Sequence, residues 1–432
     1  MRFVIYGAGR RGKEMLEVIG KENTAAFVDR DEEKVGTEYC SLPVIGIEDL
    51  QSFSEPVLCV LTPVAGRDSI AEYLRNRGIL NYIPLKPFDR ALYYEREAIL
   101  NYVFDQYGDN NIGIYGLSAG SVILYEHLIT RMNKHVFLLL NENEETGNCL
   151  RECGIHVSDL KNALPDLDVI ISTETDIDDD LQKTFPVNVK QIKMQELLEM
   201  NISFYNKQIE CYKDIHHGKR CFIIATGPSL TVQDLDTLYA HNEKCISMNR
   251  IYNIFGETKW RPDYYMIEDT LMIDDLSKEI ADMDIPAKFV ASIPLKYWQQ
   301  ENLGNSIKYQ LINLDHLGSE MPFFSTKMEH CVYEGTTVTY ACIQMAVYMG
   351  FQEIYLLGVD FNYSNDLYDE KNHFKGYQSD KKVRLNVVYP ERMQAAYKSA
   401  RHYAGEHGIK ICNATRGGKL EVFERVDFDT LF

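Results

Sequence analysis

Short apolar runs alternate along this chain with stretches whose apolar residues recur every three or four positions. Runs of the first kind read as strands buried on both faces, and stretches of the second kind as helices packed on them. The alternation predicts repeated strand–helix–strand units with parallel pairing. One order occurs twice near the beginning. RFVIYGAGRRGKEMLEVI gives a strand, a glycine turn and a helix, TAAFVDRD a second strand ending in an acid, and PVIGIEDL and PVLCVLTP the remainder; NIGIYGLSAGSVILYEHLI, KHVFLLLNENEE and GIHVSDLKNALPDLDVIISTET repeat it. The stretch DRALYYEREAILNYVFDQY (89–107) predicts a connecting helix, and 192–214 a second. Beyond them RCFIIAT, EKCISMN, PDYYMIED, AKFVASI, EIYLLGVDF and IKICNAT predict the strands of a larger sheet, with TTVTYACIQMAVYMGF and YPERMQAAYKSARHYAGEHG as its clearest helices.

The expected fold is α/β, with two small Rossmann-like repeats followed by a larger doubly wound, mainly parallel α/β domain. Residues 1–88 form the glycine-turn domain, 89–200 the degenerate repeat with its helical connector, and 201–432 the catalytic domain. With 432 residues, 45% hydrophobic and 25% charged, the chain is long enough for several cores. No stretch approaches the roughly 18 apolar residues of a membrane helix, and MRFVIYGAGRRG reads as a strand and turn, so a cytoplasmic protein is expected. Its ten cysteines lack metal-ligand spacing and fall mostly in apolar runs, where they read as buried free thiols of a reducing compartment. A formal charge of −19 excludes general affinity for nucleic acid or anionic lipid, so any phosphate must be held by a local device.

Two glycine turns are candidates for such a device. Gly7, Gly9 and Gly12 follow a strand and open a helix, and Asp29 ends the next strand, the context of a nucleotide fingerprint in which amides meet a pyrophosphate and the acid a ribose hydroxyl. The same glycines also serve tight strand-to-helix packing without a ligand. In the second copy, Gly116-Leu117-Ser118-Ala119-Gly120 lacks the three-glycine pattern and Asn141 replaces the acid, which reads as structural. The first copy resembles the small glycine-turn domain attached to sugar-modifying enzymes such as bacterial sugar acetyltransferases.

In the larger domain, polar residues gather where strands end: Gly227, Pro228 and Ser229; Asn249 and Arg250; Glu268 and Asp269; Asp360. Carboxyl ends of parallel strands are where such sheets bind ligands. Thr226-Gly227-Pro228-Ser229 has no Gly-Lys-Ser/Thr, which excludes a P-loop, and Ser229 is a fair helix N-cap. Thr336 and Thr337 open an apolar helix and form a second possible anion site. The segment NYSNDLYDEKNHFKGYQSDKKVRLN carries Tyr363, Tyr368 and His373 among lysines, an exception in an acidic chain, and reads either as a lid over a phosphorylated donor or as a solvated loop.

ATGPSL, SMNRIY, GTTVTYACIQMAVYMGFQEIYLLGVDFNY and NHFKGY, in that order, resemble the bacterial sialyltransferases of glycosyltransferase family 42. They are also similar to a broader family that includes archaeal 6-hydroxymethyl-dihydropterin pyrophosphokinases and flagellin-modifying motility accessory factors, as is the ending CNATRGGKLEVFERVDF. The resemblance implies an inverting transferase for surface glycan or flagellin glycosylation, with a CMP-sugar donor and a glycan or glycoprotein acceptor. Gly227, Pro228 and Ser229 would approach the nucleotide, Asn249 the donor, and Thr336-Thr337 the cytidine or the donor carboxylate. Tyr363 and Tyr368 would donate to the departing phosphate, and His373 would be the base, for which a pKa near neutrality suits the chemistry. No cofactor is firmly implied. Glu268-Asp269 stands where the sialyltransferases carry asparagine, and Ala225-Thr226 where they carry glycine-asparagine. An acid pair beside phosphate suits Mg²⁺ held by Asp269 and Asp360, in a pterin pyrophosphokinase-like diphosphotransferase. A non-catalytic nucleotide-binding scaffold, monomeric or oligomeric, is the third reading.

Overall fold

The computed structural model describes residues 2–63, 66–86, 89–140, 144–173, 188–293, 303–314, 321–364, 372–375, 383–384 and 387–432. The chain divides into two compact units, Met1–Ile202 with Leu314–Leu317, and Ser203–Asn313 with Gly318–Phe432.

The first unit carries two sheets. One contains β1 (Arg2–Tyr6), β2 (Thr24–Val28), β3 (Glu38–Tyr39), β4 (Leu42–Ile45), β5 (Val57–Leu61) and β6 (Tyr82–Pro84), in the order β3-β4-β2-β1-β5-β6. Its pairs are parallel except the β3–β4 hairpin. The other contains β7 (Ile112–Tyr115), β8 (Val136–Leu140), β9 (Val157–Asp159), β10 (Val169–Ser172) and β11 (Lys190–Lys193), all parallel, in the order β11-β10-β7-β8-β9. The predicted connector is the helix Asp89–Tyr107. The second predicted helix is broken: Met194–Asn201 ends where the Asn201 side chain bonds the Leu197 carbonyl, and the short helix Lys207–Glu210 starts anew under an Asn206 cap.

The second unit holds one nine-stranded parallel sheet, β17-β16-β15-β14-β13-β12-β18-β19-β20. Its strands are β12 (Arg220–Ile224), β13 (Cys245–Met248), β14 (Tyr264–Ile267), β15 (Ala287–Ser292), β16 (Ile307–Ile312), β17 (Val332–Tyr333), β18 (Glu353–Leu357), β19 (Lys410–Asn413) and β20 (Glu424–Arg425). Central strands such as β13 and β14 are buried at every position, which is why they read as continuous apolar runs. β16 was not legible, because Lys308 and Gln310 interrupt its apolar run, and β17 is only two residues long. The helix Val338–Tyr348 is buried at all positions but Val347 and lies against the sheet's centre. All nine described cysteines are free thiols; six are buried as expected, but Cys211 is exposed on the turn after Lys207–Glu210, and Cys40 and Cys153 are half-buried.

Candidate functional site

The nine-stranded sheet reverses its winding at β12. From β12 the chain steps outward through β13 to β17 and then returns to β18 on the other flank, so the topological switch point, the usual ligand position of such sheets, lies between β12 and β18. The loop after β12 is fixed by β18. The Gly227 amide donates to the Gly358 carbonyl (2.9 Å), and Ser229 donates its hydroxyl (2.8 Å) and its amide (3.3 Å) to Asp360 Oδ2. A side chain at Gly227 would collide with that carboxylate and with the Gly358 carbonyl, so glycine is required here by close approach. The anion gripped by Ser229 is therefore the chain's own Asp360, whose carboxyl burial pushes up against the pull of the Ser229 donors.

Ser229 is consequently not the N-cap. Thr231 caps the helix Val232–Ala240 in a reciprocal box with Asp234, which is itself paired with Arg416 at 3.0 Å.

His373, on the segment that follows β18, packs against the loop after β12. Its Nδ1 is 3.5 Å from Thr226 Oγ1 and its ring also bonds the Thr226 backbone. The next residue, Phe374, is 2% exposed and donates its amide to the Thr226 carbonyl (3.0 Å), while Asn372 accepts the Ser364 amide (2.9 Å). Burying one phenylalanine contributes about 1.5–3 kcal/mol, enough to fix the ring beside it. Burial pushes His373 down to about 4, with the Arg250 cation adding to the effect, below the near-neutral value expected for a base. Nδ1 is the ring nitrogen turned to the Thr226 hydroxyl.

Three non-glycine residues in the left-handed region ring the strand ends: Asn249 (φ 52), Thr336 (φ 57) and Phe361 (φ 51). For a β-branched residue such as Thr336 this costs about 1–3 kcal/mol, and such strain gathers at functional sites. Thr336 Oγ1 is buried without a hydrogen bond. Thr337 caps Val338–Tyr348 by accepting from the Thr339 amide, and Asn249 is held by Tyr265, whose hydroxyl donates to its carbonyl (2.7 Å). Tyr363 is 38% exposed and edge-on to Phe361. Tyr368 lies outside the described residues.

The acids are engaged locally. Asp269 Oδ1 accepts the amides of Leu271 and Met272, capping the helix Thr270–Asp275. Asp360 Oδ2 is turned onto Ser229. Among the described residues no group of three or more His, Cys, Asp or Glu is placed to hold a metal ion. Two of the strand-end residues noted in the sequence stand out for reasons the sequence did not show. Arg250 is 2% exposed and its charge bears on His373. Glu268 Oε2 is buried with no hydrogen bond among the described residues, and burial, then Glu334 and Asp269, push its carboxyl well above the usual range. Burial of a side chain at a strand end leaves no local signal.

In the first unit the two glycine turns differ. Gly7 (φ 106) permits the turn, Gly12 packs where any side chain would strike the Gly7 carbonyl, and Gly9 has open space around its Cα. Asp29 is engaged by the glycine turn and by its own: it accepts the Ala8 amide (2.9 Å) of the former and the Asp31 amide (3.1 Å) and Lys34 Nζ (3.1 Å) of the latter. Burial pushes its carboxyl up, but these donors outweigh burial and leave it below the ordinary range. At the second turn Asp89, fully buried, accepts from Ser118 Oγ (2.7 Å), the Lys86 amide (2.7 Å) and the Gly120 amide. A carboxylate of the chain thus fills the helix N-terminus where a phosphate would sit.

Residues 195–366 match the 6-hydroxymethylpterin diphosphokinase MptE-like family. The MptE-like segment takes in β12 to β18, the Thr226 loop, Asn249, Asp269, Thr336 and Asp360, and stops before His373. No curated protein matches the chain. Among solved structures, the chain is similar to the MAf glycosyltransferase from Magnetospirillum magneticum AMB-1, at 15% identity and a TM-score of 0.33, over 80% of this chain and 63% of that one. The chain thus spans under two thirds of that protein's length.

Proposed function

We propose that the second unit is a glycosyltransferase that moves a sugar from a nucleotide donor, a CMP-sugar of the sialic acid type, to a hydroxyl of a glycan or glycoprotein. The observation that carries this reading is a half-buried imidazole held against Thr226 at the switch point of the sheet. His373 Nε2 takes the proton of the acceptor hydroxyl; the acceptor oxygen bonds to the anomeric carbon from the face opposite the phosphate. The carbon–oxygen bond to CMP breaks, and its electron pair leaves with the phosphate. Asn249 and the Thr336-Thr337 turn are assigned to the donor, and Tyr363, with Tyr368, to the departing phosphate.

A diphosphotransferase is the second reading, favoured by the MptE-like match. A melting panel separates the two, because a ligand that binds the native state raises Tm, by about 2.7 kcal/mol of stability at a hundredfold excess over Kd. The glycosyltransferase reading predicts that CMP raises Tm in EDTA and that ATP with Mg²⁺ does not. Stabilisation by ATP that depends on Mg²⁺, with none by CMP, puts the diphosphotransferase first.

A further inference from the structure

The register that pairs Ile224 with Ser247 brings Thr226 level with Asn249, one residue before Arg250. His373, seated on Thr226, and Arg250 therefore flank the same pair of strand ends. Arg250 is buried, its carbonyl accepts the Asn253 amide (3.1 Å), and its side chain hydrogen bonds Tyr252. Glu279 is the acid that bears on that tyrosine, and Arg250 is the charged group that bears on the His373 ring. A guanidinium offers a fork of donors matched to phosphate oxygens, a local device of the kind a chain of net charge −19 needs to receive an anion.

We infer that Arg250 receives the phosphate of the donor, and that this contact couples the His373 ring to donor binding, so that the base works only with donor in place. The inference rests on the glycosyltransferase reading. In the free protein a cation near a half-buried ring opposes imidazolium formation. The negative charge of a bound nucleotide phosphate offsets that cation and favours the proton that the acceptor hydroxyl gives up. The donor then binds first, and a bound acceptor alone is not activated.

The test is an NMR titration of the full chain carrying ¹³C-labelled histidine, with His373→Gln identifying the His373 signal and CMP as the probe. Saturating CMP is expected to raise the His373 midpoint by about one pH unit, a tenfold gain in proton affinity, or more. In Arg250→Gln the midpoint of the free protein is expected above that of the wild type and CMP affinity about tenfold weaker, with Arg250→Lys recovering much of the affinity. CMP that binds while the wild-type midpoint stays put overturns the inference and leaves the glycosyltransferase reading standing, and this measurement needs no Arg250 variant. Arg250→Gln that binds CMP as tightly as wild type also overturns it. Absence of CMP binding to the wild type overturns both.

Discussion

At Gly227 and at Asp89 a carboxylate of the chain occupies ground suited to a ligand anion, and each residue makes a distinct prediction. Gly227→Ala forces a methyl group onto Asp360 Oδ2 and the Gly358 carbonyl, atoms that cannot both retreat. Overpacking of this kind costs about 1–3 kcal/mol. Chemical denaturation should show that loss, with CMP binding weakened in parallel because the Thr226 loop is displaced. Asp89 is pushed up to about 7 by burial, against the pull of Lys86, Ser118 and Gly120, whereas an unfolded aspartate titrates near ~3.9. The folded protein therefore holds the extra proton between these values. Its contribution to stability is full below about pH 4 and is lost as pH rises through about 7. Wild type should lose more Tm between pH 5.5 and pH 8 than Asp89→Asn does; equal losses would show that Asp89 does not titrate in that window.

The helix Val338–Tyr348 joins sheet and site, because its N-terminal turn supplies Thr336 and Thr337. Gln344, fully buried in its middle, accepts the amides of Ser325 (2.9 Å) and Tyr333 (3.2 Å) and donates to the Tyr333 carbonyl (2.9 Å). Gln344→Leu keeps the volume but strands two amides, at about 1–3 kcal/mol each. The unit should be destabilised by about 2–5 kcal/mol in urea, whereas an unchanged midpoint would mean that water or the backbone satisfies those groups. Elements of this kind were legible: apolar runs marked the central strands, and helical spacing marked Asp89–Tyr107 and Val338–Tyr348. The site was legible only as separate strand ends. What joins them runs across 131 residues from Ser229 to Asp360 and 147 from Thr226 to His373, and no local pattern encodes such pairings. The same limit hid Asp89, which reads as the first residue of a connector until the fold carries it to another helix's N-terminus. It also hid the reach of burial, which places His373 near 4 where chemistry alone suggested neutrality.

A protein of net charge −19 repels an anionic donor at long range, yet its proposed site receives phosphate through one buried arginine. Screening should therefore help encounter: the association rate of CMP is expected to rise between about 20 and 200 mM salt, as the Debye length shrinks below about 10 Å. A rate that falls with salt would indicate a basic entry path. Among the described residues no helix is long and apolar enough to cross a membrane. The central claim, a metal-independent glycosyl transfer with His373 as base, is tested most directly by release of CMP from CMP-N-acetylneuraminic acid in EDTA, with wild type and His373→Ala compared at matched nucleotide saturation. The account predicts release by the wild type without Mg²⁺ and turnover lower by about 10²-fold or more in His373→Ala, with CMP affinity nearly unchanged. Release that requires Mg²⁺, or that proceeds equally fast without His373, would contradict it.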